Sequence, residues 1–136
     1  MTMRYKLLDH TADAMVEAYG KDLGERFANA AYAMFDQITD ITKVEPKGEL
    51  KLELTADSRE QLLVDFLQEL LYIHDTEDVV LGSFEVSTDG KHLKAEVSGE
   101  RFDEKKHSKR SIVKGVTYHG LAFDDANKRL TILFDV

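Results

Sequence analysis

The sequence predicts an α+β fold: one two-layer domain of mostly antiparallel β-sheet with two amphipathic helices packed on it. Three observations carry this. Two segments repeat apolar residues at steps of three and four, the period of a helix with one buried face. The remaining apolar stretches alternate with polar residues, the period of a half-buried strand. The late strands are separated by short turn sequences, and such connections pair strands antiparallel, because parallel neighbours need long crossovers.

The opening segment, Tyr5 to Tyr19, is extended. Tyr5 and Leu7 flank Lys6, a polar break falls at Asp9-His10-Thr11, and Ala14, Val16 and Ala18 then alternate with Glu17 and Tyr19 before Gly20. The first helix places Leu23, Phe27, Ala30, Ala31, Met34, Phe35 and Ile38 on one side, with Asp22 and Glu25 spaced as a capping box. The single proline, Pro46, marks a loop. Glu49 to Thr55 alternates Leu50, Leu52 and Leu54 with charged residues. The second helix follows, capped by Ser58 with Gln61 and striped by Leu62, Leu63, Phe66, Leu67, Leu70 and Leu71. Phe84 and Val86 alternate with polar residues, and Asp89-Gly90 predicts a two-residue hairpin turn leading into Leu93, Ala95 and Val97. Gly99 to Ser111 is a charged loop or edge. Two last strands, Ile112 to Phe123 and Leu130 to Val136, flank a turn at Asp124-Asp125-Ala126-Asn127.

Composition narrows the function. The 136 residues, read as a single domain over 1–136, are 43% hydrophobic and 32% charged, the balance of a globular protein with a core. There is no cysteine, so thiolate metal sites and disulfides are excluded and any metal takes Asp, Glu, His or backbone oxygens. With no signal-like segment and no apolar run of about 20 residues, the cytoplasm is the expected location and no membrane partner is expected. The formal net charge is -8, with a basic cluster only at Lys105 to Arg110. That charge disfavours direct, strong nucleic-acid binding and suits a cation or a basic protein partner.

Three places can carry chemistry. Asp9-His10-Thr11-Ala12-Asp13 gathers polar groups between two extended stretches. It is either a polar turn satisfying its own backbone or a source of carboxylates for a hard cation such as Ca²⁺ or Mg²⁺. Phe134-Asp135-Val136 carries a strand pattern to the last residue and would set an α-carboxylate beside the Asp135 side chain. That oxygen cluster needs a neutralising cation unless it is simply solvated. In Lys114-Gly115-Val116-Thr117-Tyr118-His119, strand alternation puts Thr117 and His119 on one face and Lys114, Val116 and Tyr118 on the other. His119 is then a ligand, a general base or a plain surface histidine. His74, His92 and His107 are scattered and pair with no second histidine at ligand spacing. No phosphate-binding glycine loop and no nucleophile elbow is present. The acidic run Asp75-Thr76-Glu77-Asp78 lacks the glycine and closing Glu of an EF-hand.

These blocks together resemble the archease family: Asp9-His10-Thr11-Ala12-Asp13, the leucine-rich helix with Glu69-Leu70-Leu71-Tyr72, Lys114 to His119, and the closing Asp135-Val136, in order over essentially the whole chain. Where the family usually has Ala after the strand lysine, this chain has Gly115. The resemblance implies an α+β fold and a divalent cation site, commonly Ca²⁺ with Mg²⁺ or Mn²⁺ as alternatives. Its ligands would be Asp13 and Asp135 with an oxygen of Val136; His10, Lys114, Thr117 and His119 are candidates to meet the partner or support the site. It further implies a partner, the GTP-dependent tRNA-splicing RNA ligase that joins 3′-phosphate or 2′,3′-cyclic-phosphate ends, whose guanylation and turnover archeases promote. On this reading the protein is not an enzyme. The alternatives are a chaperone or modulator of tRNA-modifying enzymes, and a stand-alone metal-dependent hydrolase with His119 or His10 as base. Two carboxylates so far apart in sequence can share an ion only if the opening extended segment and the last strand lie side by side.

Overall fold

The computed structural model describes residues 3–8 and 13–136. The opening segment folds back on itself as two strands, β1 (Tyr5–Leu8) and β2 (Ala14–Tyr19), paired antiparallel. Then come α1 (Leu23–Ile38), a short 3₁₀ turn at Ile41–Lys43, β3 (Gly48–Thr55) and α2 (Arg59–Glu77). Four strands complete the chain: β4 (Val79–Thr88), β5 (His92–Arg101), β6 (Gly115–Asp124) and β7 (Arg129–Asp135). The α+β class and the antiparallel pairing hold throughout. The strands, however, divide into two sheets, ordered β1-β2-β7-β6 and β3-β5-β4.

Both helices start where local chemistry sets them. Asp22 accepts from the Glu25 N–H at 2.8 Å, and Ser58 accepts from the Gln61 N–H at 3.1 Å, each satisfying a donor that the first helical turn leaves without a partner. The Glu25 carboxylate reaches the N–H of Lys21 rather than that of Asp22, so the first box is displaced by one residue. The predicted stripes are the buried faces. Phe27, Ala30, Ala31, Met34 and Phe35 are fully buried from α1, as are Leu62, Leu63, Phe66, Leu67 and Leu70 from α2.

One continuous core joins the two sheets through the helices. α1 packs against β2 and β4, α2 against β6 and the β3-β5-β4 sheet, and Val16, Leu130, Ile132, Phe134, Leu93 and Val97 meet the helices from both sides. Burying apolar area of this kind is the main stabilising term of the fold, about 25 cal/mol per Å² removed from water.

The β4–β5 hairpin differs from its predicted form. Its two turn residues are Gly90 and Lys91, one step beyond Asp89-Gly90, since only Gly90 adopts a positive φ, 99°. Asp89 closes the turn instead: its Oδ1 accepts from the N–H groups of Lys91 and His92 at 2.8 and 2.7 Å.

A candidate cation site on the β2-β7-β6 surface

The site begins with strand pairing. β7 lies between β2 and β6, so the opening and closing parts of the chain are neighbours, the condition a shared ion imposes. Ala14 is opposite Phe134, and Gly115 is opposite Asp135. Continuing the β2–β7 register one step past Ala14 sets Asp13 against Asp135. Gly115 and Asp135 thus form a row across β6 and β7, and Asp13, in the bend just before β2, falls at the same level. Directly opposed residues on neighbouring strands hold their Cβ atoms about 5 Å apart, within reach of one ion.

The row faces away from the helices. Phe134 and Ile132 are fully buried against them, and side chains alternate along a strand, so Asp135 points to the other side. Its side chain is exposed and Asp13 is half-exposed. Among the described residues neither carboxylate makes an ion pair. Two neighbouring carboxylates without a basic partner repel each other, and a cation relieves that repulsion.

Gly115 leaves the row open on one side: a Cβ added there would meet nothing within 4 Å. Lys114 lies just outside β6. Its backbone N–H donates to the Asp135 carbonyl oxygen at 2.6 Å, which fixes the end of β7, while its side chain is exposed. Val136 is half-buried and packs on the core, so its backbone is held beside Asp135.

Strand alternation fails just past this row. The β6–β7 register shifts between Thr117 and Ala122, so that Tyr118 to Leu121 oppose Ile132 alone. This is a large bulge, a device that re-aims side chains. Tyr118, His119 and Gly120 are exposed in succession, so His119 does not share a strand face with Thr117. The Thr117 hydroxyl accepts from the His119 N–H at 3.1 Å, and Gly120 supplies the turn with a φ of 75°. A Cβ at Gly120 would approach Met15 Cε to 3.0 Å, so the bulge folds over the Met15–Leu133 pair next to the carboxylate row.

The donor chemistry fits a hard divalent cation. Two carboxylates with a backbone oxygen of Val136 form an all-oxygen set, the type preferred by Ca²⁺ and Mg²⁺. Among the described residues no three His, Asp or Glu side chains converge on one point. Asp13 and Asp135 are thus a pair, to be completed by backbone or water oxygens. Asp9, His10, Thr11 and Ala12 lie outside the described residues, His10 included.

A second polar centre escaped the sequence reading. Glu100 and His107, both almost fully buried, meet at 3.0 Å through the histidine Nε2. Nδ1 of His107 accepts from the Asp103 N–H at 2.9 Å, so Nε2 carries the proton donated to Glu100. Lys106 adds a 2.7 Å bond to Glu100, and the Glu45 N–H another at 2.8 Å. Burial raises the Glu100 carboxyl, but these donors outweigh it and hold it down at about 2. The network pins the charged 102–111 segment to β5. A groove of about 950 Å³ runs beside it, lined among others by Leu50, Val97, Phe102 and Lys106, away from the carboxylate row.

Comparison with known proteins agrees with this architecture. Residues 5–136 match the model of the archease protein family (MTH1598/TM1083). The protein archease of Methanothermobacter thermautotrophicus is 45% identical over 119 residues, covering 85% of this chain and 84% of that one. That of Pyrococcus furiosus is 42% identical over 120 residues, covering 85% and 84%. The solution structure of Methanobacterium thermoautotrophicum protein 1598 superposes with a TM-score of 0.80 at 39% identity, covering 98% and 99% of the two chains. A crystal structure from Thermotoga maritima, described as an archease and possible chaperone, shares the fold with a TM-score of 0.65 at 19% identity, covering 100% and 99%.

Proposed function

The chain belongs to the archease family, and from that premise we propose that it is a non-catalytic, cation-binding accessory protein. Its partner on this reading is a GTP-dependent RNA ligase that seals 3′-phosphate or 2′,3′-cyclic-phosphate ends in tRNA splicing and RNA repair in the cytoplasm, and its role is to promote ligase guanylation and turnover.

One observation carries the reading: the row Asp13–Asp135–Gly115, which gathers two carboxylates from opposite ends of the chain on an exposed sheet surface. Asp13 and Asp135 would hold a divalent cation, Ca²⁺ by family resemblance and otherwise Mg²⁺ or Mn²⁺, with an oxygen of Val136. Bound there, the ion supplies positive charge and open coordination positions to oxygen groups of a partner. The chain's own residues do the rest. The Lys114 N–H fixes the Asp135 backbone, the exposed Lys114 ammonium offers a cation beside the row, and the bulge presents Tyr118 and His119 next to it.

An exposed placement on a sheet surface suits a face that completes another protein's site better than one that encloses a small substrate, since substrate pockets are concave. The T. maritima relative is described as a possible chaperone. A ligase activator and a general chaperone part company in one experiment. Guanylation of the purified ligase by GTP is measured with wild type, Asp13→Asn and Asp135→Asn. Wild type accelerates guanylation and each variant loses most of that stimulation; equal stimulation by all three defeats the proposal. Suppression of aggregation of unrelated proteins by wild type and variants alike would support the chaperone reading instead.

A further inference from the structure

The outer edge of the β3-β5-β4 sheet takes no part in the site above. β3 is one of its two edge strands, and Glu49, Lys51 and Glu53 are exposed along it. The Ala56 N–H bonds to the Lys91 carbonyl at 2.9 Å, which fixes the parity of the ladder. Even-numbered residues of β3 bond to β5, and odd-numbered ones point their N–H and C=O groups outward. Among the described residues no backbone bond beyond the sheet involves Glu49, Lys51 or Glu53. A long edge of this kind is a template for another strand.

We propose that β3 pairs antiparallel with β3 of a second copy of this chain, in the register that sets Leu52 opposite Leu52. This goes beyond the ligase reading and does not rest on it. Parity comes first. With Leu52 on the twofold axis, the outward-bonding residues meet each other: Lys51 pairs with Glu53 twice, and Glu49 with Thr55 twice. Charge comes second. Lys51 lies 3.7 Å from Glu96 and Glu53 lies 3.8 Å from Lys94 across β5, so the exposed face already alternates in sign. A second copy in this register extends the alternation. A shift that centres the pair on Lys51 instead sets Lys51 against Lys51 and Glu49 against Glu53, and like charges directly opposed are destabilising.

Apolar matching comes third. On the other face this register aligns Leu50 with Leu54 twice and Leu52 with Leu52. Leu50 is 41% exposed and lines the open groove, and Leu52 and Leu54 are only half-buried. The pairing stays within Gly48–Thr55 and continues the leucine row from one copy to the next. Leucines partly exposed on an edge strand are thereby covered without any change in the fold.

The test is sedimentation velocity on the full chain, from dilute protein to about 0.5 mM, where weak association is populated. The average mass rises with concentration from the 15.5 kDa of one chain towards twice that. Lys51→Glu and, separately, Glu53→Lys each set like charges opposite one another and weaken association by about tenfold. The double swap Lys51→Glu with Glu53→Lys restores it to near the wild-type value. Circular dichroism and melting confirm that each variant is folded. A single chain at every concentration overturns the proposal, and so does indifference to the single changes or failure of the double swap. If wild type stays single but Lys51→Glu loses binding to the purified ligase, the edge takes a partner's strand and self-pairing is refuted.

Discussion

The backbone N–H of Lys114 donates to the carbonyl oxygen of Asp135 at 2.6 Å, so the residue before β6 ties down the end of β7. The bond is made by backbone alone. The Lys114 side chain remains exposed beside the carboxylate row, which separates its structural part from any functional one. Lys114→Ala should therefore melt within about 0.5 kcal/mol of wild type, as surface changes do. Stimulation of ligase guanylation should fall by several-fold. A melting temperature that drops together with activity would assign the lysine to folding instead.

Two glycines should respond in opposite ways to one added methyl group. A Cβ at Gly99 would run into the Val80 carbonyl oxygen, so the β4–β5 pair must open to admit it. Gly99→Ala should cost about 2 kcal/mol or more, as overpacking does. Gly115 has free space around its Cα and no positive φ. Gly115→Ala should leave stability unchanged or raise it by about 0.5 kcal/mol through the less flexible unfolded chain. Urea unfolding of both variants measures the contrast.

Acid should loosen the 102–111 segment through Glu100. Its carboxyl, ordinarily at 4.5, is held at about 2 in the folded chain. A lowered carboxyl contributes stability that is present above the unfolded value and lost as pH falls through the folded one. The loss therefore runs from about pH 4.5 to about pH 2. Glu100→Gln should lower stability at pH 7 by about 2 kcal/mol, because charge-assisted bonds from Lys106 and His107 are lost. It should also flatten the pH dependence in that window. Unfolding at a series of pH values reads both effects, and an unchanged slope in the variant would remove Glu100 from the account.

Asp125 joins the two helices to the β6–β7 turn. It accepts from the nearly buried Arg26 at 3.2 Å and from Arg59 at 2.8 Å, and Arg59 lies over the Phe123 ring. Asp125→Ala leaves Arg26 with its bond to the Gly20 carbonyl but without its carboxylate. A loss of about 1–2 kcal/mol is expected, the cost of an underbonded buried donor, read as a lower melting temperature.

What could be read from the sequence was local. Asp22 and Ser58 announced the helix starts because a capping side chain acts within three residues, and the stripes from Phe27 and Leu62 named the buried faces because 3.6 residues make a turn. The meeting of Asp13 with Asp135 was legible as a condition, and the β2–β7 pairing meets it. Tyr118 and His119 were misplaced because alternation presumes an unbroken ladder, and here four residues oppose one; Gly120 inside a strand pattern was the available signal. His107 sat in a charged run that reads as solvated, and its burial depends on Glu100, which Glu45, distant in the chain, helps to hold. The division into two sheets has no local signature, since it depends on which strands pair across the helices.

If Asp13 and Asp135 together hold one hard cation, each carboxylate must contribute to its binding. Isothermal titration of Ca²⁺ into the wild-type chain and into Asp13→Asn and Asp135→Asn tests it most directly. The wild type should show one site, and each variant should bind at least about tenfold more weakly, since each removes one of two charged ligands. Binding of equal strength in all three proteins, or none in the wild type, would contradict it.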